Sequence, residues 1–280
     1  MANSDVPIPG SPLIFFFFIT LGFLIFTLFS IQNAKSIEDI EKAKDGSLLT
    51  IIYVSILIIG SYFINTTVSK ALCNSEAIRW SNILLATLLP WIIIFFSLFI
   101  VLKIFPGWIT PFSNTVGYVV ISILGVENTL TAILNKQPGE SGDLAKAIAN
   151  ITHNKSNFIN QIDINRATFL SFIGDLKNAN IITLNKQDGE GEGDGEGEGD
   201  GEGDGEEELL TNPDIQNLYK LLVIKNVLGQ ITWYTLAGVL VSSVSYNYII
   251  NMSCDKSLEE ITKELNNAEA ASLDYVQKNK

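Results

Sequence analysis

The chain offers few side chains with which to do chemistry. His153 is its one histidine and stands beside Asn154 in a polar stretch with no Cys, Asp or His at metal-ligand spacing, so an ordinary solvated or core histidine is expected. Cys73 and Cys254 form no CxxC pair, which removes the zinc-knuckle and thioredoxin-like readings. A GxSxG elbow, a Walker loop, an HExxH helix and a dinucleotide glycine pattern are all absent. The remaining candidate is the tract Asp188–Glu208, which holds twelve Asp and Glu and no Lys or Arg. Its carboxylates would repel a phosphate, and their spacing matches no EF-hand loop or calcium-binding repeat. A lone histidine supplies neither an activated nucleophile nor a metal site, so no enzyme, no cofactor and no metal are expected.

The elements around these residues are far more informative. Four apolar runs, Leu13–Ile31, Leu48–Ile64, Ile83–Leu102 and Ile231–Ile250, each approach the length needed to cross about 30 Å of hydrocarbon at about 1.5 Å per residue. They account for a positive mean hydropathy of +0.29 in a chain whose formal net charge is −12. The predicted fold class is therefore mainly α: a multipass transmembrane helical protein with four spans, amphipathic extramembrane helices and a disordered acidic loop. Membrane lipids are the first expected partner. The acidity is concentrated in Asp188–Glu208, which suggests a solubilising spacer or a tether to a basic protein surface; no basic footprint for nucleic acid is present.

Five regions follow in order. Residues 1–104 form a three-span membrane region, and 105–187 an interfacial turn with amphipathic helices. Residues 188–208 are the Gly/Asp/Glu tract, 209–254 a helix and the fourth span, and 255–280 a C-terminal amphipathic helix. In the first span, Phe15–Phe18, Phe23, Phe26 and Phe29 are expected to face lipid, with Thr20, Gly22 and Ser30 as smaller contact points. No basic leader or small-residue cleavage site accompanies this run, so a retained anchor is expected. Gln32–Ser47 and the segment opening at Asn65-Thr66-Thr67 read as short polar connections. Pro90 is expected to kink the third span, with Trp80 and Trp91 at its entry. Val116–Val126 is short for a span and reads as interfacial or packed against other segments.

Leu144, Ile148 and Ile151, then Phe158, Ile159 and Ile162, then Phe169, Leu170 and Ile173, recur at helical spacing. Pro138-Gly139-Glu140-Ser141 supplies a break before them. Thr211-Asn212-Pro213-Asp214 combines a polar cap, an early proline and an acidic first turn, the signature of a helix start. Leu218, Leu221, Leu222, Ile224 and Val227 are read as an interfacial stretch ending at Gly229, before the final span. Beyond Cys254, Ser257 and Glu260 have capping-box spacing.

Four crossings put Cys73 and Cys254 on one side, which makes them a candidate disulfide if that side is oxidising. The flanking lysines favour a lumenal or exoplasmic N-terminus and a cytosolic large region. Asn65-Thr66-Thr67 and Asn251-Met252-Ser253 are formal glycosylation motifs close to the membrane. The most individual stretch is Phe105–Tyr118, with two prolines, two glycines and several aromatics. It reads as a turn in the headgroup region, and Phe105, Trp108, Phe112 and Asn114 are its candidate partner-binding residues, with Trp108 the main apolar anchor.

Phe105-Pro106-Gly107-Trp108 followed by Pro111-Phe112-Ser113-Asn114-Thr115, together with Val244-Ser245-Tyr246-Asn247-Tyr248-Ile249 before Cys254, resembles integral membrane proteins of large icosahedral DNA viruses. The resemblance covers mainly Phe105–Gly117 and Gly238–Cys254. It implies a structural protein of the virion inner membrane, inserted during assembly into membrane derived from the host endoplasmic reticulum. Such a protein would link that membrane to the capsid or minor capsid proteins. It brings no catalytic pattern. The alternative is a small channel or transporter subunit, with an aqueous path lined by Thr20, Ser55, Thr87 and Ser97.

Overall fold

The computed structural model describes residues 11–44, 46–72, 80–135, 142–184 and 204–251. Among them the chain is helical apart from one isolated bridge, Leu134 to Ile182. The helices are α1 (Ser11–Asn33), α2 (Ile37–Lys44), α3 (Ser47–Leu72), α4 (Trp80–Ile104), α5 (Pro106–Ile123) and α6 (Val126–Ile133). They continue with α7 (Asp143–His153), α8 (Lys155–Gln161), α9 (Arg166–Asn178), α10 (Asp204–Thr211) and α11 (Pro213–Asn251). Four stretches among the described residues are long and apolar enough to cross a membrane: α1, Ile37–Ala71 (which holds most of α3), α4 and α11. Cys73, Cys254 and the expected terminal helix 255–280 lie outside the described residues, as does the acidic tract up to Gly203.

The chain divides into two compact units. One comprises Met1–Ile19, Val54–Leu98 and Ala237–Lys280. Here α1 meets two glycines: Phe15 lies against Gly60 and Phe16 against Gly238, so closely that a methyl group on either glycine would overlap the ring. Phe16 is only 1% exposed, whereas Phe17 and Phe18 face outward, so the phenylalanine run divides between protein and surroundings. Gly60 and Gly238 are small contact points here, whereas a methyl group added at Gly22 would meet nothing within 4 Å. Close approach at small residues is how helices pack where no hydrophobic effect drives them together. Pro90 does not end its helix; one wide π turn, Trp91–Phe96, follows it and absorbs the missing amide. Trp91 is buried beside Phe95 rather than set at an interface, while Trp80 is exposed under the Lys70 ammonium.

The other unit comprises Thr20–Tyr53 and Phe99–Leu236. Its core gathers about the first half of α11, where Ile215, Leu218, Tyr219, Leu222 and Val223 are fully buried. Leu130, Ile133, Ile159, Phe169 and Ile173 pack into the same core, and the last three lie on helices that their spacing predicted. Local chemistry sets the ends. Asn212 Oδ1 accepts from the amides of Asp214 and Ile215, giving the predicted start of α11. Asn165 caps α9 in the same way, and α9 ends in a Schellman motif with Asn180 at φ 55°.

Four local expectations are corrected. Gln32–Ser47 is no bare connection: Ser36 caps α2, which buries Ile37 and Ile40. The helix of the second span runs through Asn65 to Leu72, because Asn65 finds polar partners inside the bundle. Gly229 does not interrupt α11; its bare Cα lets the backbone of Ser113 approach. The end of the acidic tract, Asp204–Glu208, belongs to α10, with Glu208 paired to Lys177 Nζ at 2.6 Å.

Candidate functional site

Three constellations of polar or aromatic side chains stand out, and each ties helices together. The first is a buried triad in the unit containing Val54–Leu98. Asn65, 1% exposed, donates from Nδ2 to Thr87 Oγ1 at 2.8 Å and to Ser245 Oγ at 2.7 Å. Thr87 in turn donates to the Ile83 carbonyl at 2.9 Å. One amide thus joins α3, α4 and α11 between otherwise apolar faces, where an unpaired polar group would be costly.

The second lies in the unit centred on the first half of α11. Lys225 is 3% exposed and donates from Nζ to Asn114 Oδ1 at 2.9 Å and to Asn160 Oδ1 at 3.0 Å. The ammonium is held by two neutral amide oxygens, joining α11 to α5 and α8. Six residues earlier on α11, Tyr219 Oη lies 3.0 Å from both Glu41 Oε1 and the Ile164 carbonyl. Between them Lys220 Nζ donates to the carbonyls of Gln32 at 3.0 Å and Ala34 at 3.2 Å, capping the end of α1.

The third is an aromatic corner. Trp233 Nε1 donates to the Trp108 carbonyl at 2.7 Å; the two indoles lie 6.3 Å apart, and Phe112 meets Trp233 edge-on at 4.9 Å. Of the four candidate partner-binding residues, Phe105 and Trp108 are therefore exposed (56% and 54%), Phe112 is half-buried against Trp233, and Asn114 is turned toward Lys225. Sequence reasoning missed Asn65, Lys225 and Trp233 as contact centres. A polar or charged residue within a long apolar helix is the signal that marks the first two.

His153 ends α7 and lines an open polar cleft with Glu127, Thr152 and Asn154 through Asn157. Among the described residues no three His, Cys, Asp or Glu side chains come together to hold a metal. Of the four residues expected to line a channel, Thr20 is buried with its hydroxyl 2.9 Å from Tyr53 Oη, Thr87 belongs to the triad, and Ser55 and Ser97 are exposed.

Fold and contacts together define a helical protein whose interior polar groups fasten helices to one another, with several helices long and apolar enough to cross a membrane. Comparison with known protein families, characterised proteins and solved structures finds no match.

Proposed function

We propose that the chain is a four-span membrane scaffold that holds a helical head at the bilayer surface as an attachment point for a protein layer. The observation that carries this reading is α11. Its 39 residues extend about 58 Å, roughly twice the hydrocarbon thickness, without an assigned break. Its first half is the centre of the head core, and its second half, from Asn226 to Asn251, contains no charged residue. One helix that contributes to the head core and also carries an uncharged stretch long enough to cross a membrane suits a structural role better than catalysis. The resemblance to viral membrane proteins supplies the nature of the layer: the capsid or minor capsid proteins above a virion inner membrane. The polar outer faces of α7, α8 and α9 offer it a surface, and the acidic tract a tether to basic partners.

The test is photocrosslinking from exposed head positions such as Asn150 and Asn157 in native assemblies, followed by identification of the adducts. Adducts to one defined coat protein at stoichiometric yield are expected. Adducts confined to this chain, together with ion flux from reconstituted vesicles, would replace the scaffold with a channel.

A further inference from the structure

We infer that α5 is itself inserted in the bilayer, an additional embedded segment whose outer face is covered by lipid acyl chains; this rests on the membrane reading above. From Ile104 to Val126 there is no charged residue, an interval bounded by Lys103 and Glu127. Along α5 two faces separate at helical spacing. Ile109, Ser113, Gly117 and Ile121 are buried, while Trp108, Val116, Val119 and Ile123 are exposed, Ile123 to 81%. Both faces are mainly apolar, as expected of a helix lying between protein and lipid rather than between protein and water.

The packing of α5 on α11 sets the depth. The Trp108 carbonyl meets the Trp233 indole, Ser113 meets Gly229, and Gly117 lies on the Lys225 carbonyl, so the partner falls along α11 as the residue number rises along α5. The first two contacts fall inside the uncharged stretch of α11. The outer face is also continuous in character with the exposed apolar residues Phe29 of α1 and Ile52 of α3 in the same unit. Irregular backbone is tolerated at such a depth only where protein satisfies its polar groups. The break between α4 and α5 meets that condition. Phe105 N–H donates to the Val101 carbonyl at 2.8 Å, Trp108 N–H to the Phe105 carbonyl at 3.0 Å, and the Trp108 carbonyl accepts from the Trp233 indole. Pro106 and Pro111 bring no amide to satisfy.

The segment ends where the chain can turn along the surface. Gly125 adopts φ 91°, a left-handed conformation suited to glycine, and α6 leaves at 77° to α5. Glu127 then accepts from Tyr118 Oη at 2.9 Å, placing the first carboxylate at this corner. Phe105–Gly125 thus belongs to the membrane together with the turns of α11 that it packs on, and the part of the core that stands clear of the bilayer begins at α6. Trp108 becomes a lipid-facing side chain instead of a partner anchor.

Spin labels on single cysteines at Val116, Val119 and Ile123 test this in the full-length chain carrying Cys73→Ser and Cys254→Ser, reconstituted in phosphatidylcholine vesicles. Labels at Phe29, Ile52 and Asn157 serve as references. All these positions are on the surface, so labelling spares the packing against α11; circular dichroism of each variant verifies the fold. Collision with oxygen should rise, and collision with a water-soluble nickel chelate should fall, at 116, 119 and 123, as at 29 and 52 and opposite to 157. If 29 and 52 report lipid while 116 and 119 report water, or shielding from both reagents as under a protein partner, the inference fails and the membrane reading stands. Chelate access at 29 and 52 as well would overturn both.

Discussion

Replacing Asn65 by leucine removes the donor that joins α3, α4 and α11 while keeping the number and branching of the side-chain heavy atoms. Two interhelical hydrogen bonds are lost, at 2.8 and 2.7 Å. Such bonds within membrane bundles average about 0.6 kcal/mol each and reach about 1.7 kcal/mol. The expected loss is therefore about 1 kcal/mol, with a ceiling near 3 kcal/mol. It is moderated because Thr87 keeps its bond to the Ile83 carbonyl, while Ser245 Oγ, on a residue 2% exposed, loses its donor. The assay is reversible unfolding in mixed micelles, run as two double-mutant cycles that pair Asn65→Leu with Thr87→Val and with Ser245→Ala. Each cycle should return a favourable coupling of about 0.6 kcal/mol. Couplings within about 0.3 kcal/mol of zero in both, the additivity of independent sites, would refute the triad as a fastening. The same burial predicts that Asn65 stays unmodified in a glycosylating membrane system despite its Asn-Thr-Thr motif; a glycan recovered on Asn65 by mass spectrometry would show that this helix end is open.

Lys225→Met should destabilise the chain by about 1–3 kcal/mol, because the Asn114 and Asn160 oxygens lose their donor. Adding Asn114→Leu and Asn160→Leu should recover much of the loss; no recovery in an unfolding titration would mean that the ammonium acts through something else. Gly117→Ala puts a methyl group on the Lys225 carbonyl and should lower stability by about 1–3 kcal/mol, read as a fall in the thermal midpoint; an unchanged midpoint would refute the close α5–α11 contact. Tyr219→Phe removes the hydroxyl shared between Glu41 and the Ile164 carbonyl and should cost about 1 kcal/mol, with a neutral result locating those acceptors in water.

Helix length and apolarity were legible in the sequence because each long run carries its signal locally: Leu13–Ile31 lies within α1, and Ile83–Leu102 within α4. Caps were legible for the same reason, since Asn212 acts on amides two and three residues away. The helix Arg166–Asn178 followed from a spacing that places Phe169 and Ile173 on one face. What a residue meets across the fold was not legible. Phe15–Phe18 are four identical side chains in sequence, and only Gly60 and Gly238, far along the chain, decide that Phe15 and Phe16 turn inward. Asn65 read as the beginning of a polar connection because composition cannot show that Thr87 and Ser245 wait beside it. Gly229 read as the boundary between an interfacial stretch and the final span; in the structure α11 runs through it and the backbone of Ser113 packs on its bare Cα. Local propensity and capping act within a few residues, whereas each of these outcomes turned on a contact between positions distant in the chain, which only the tertiary structure brings together.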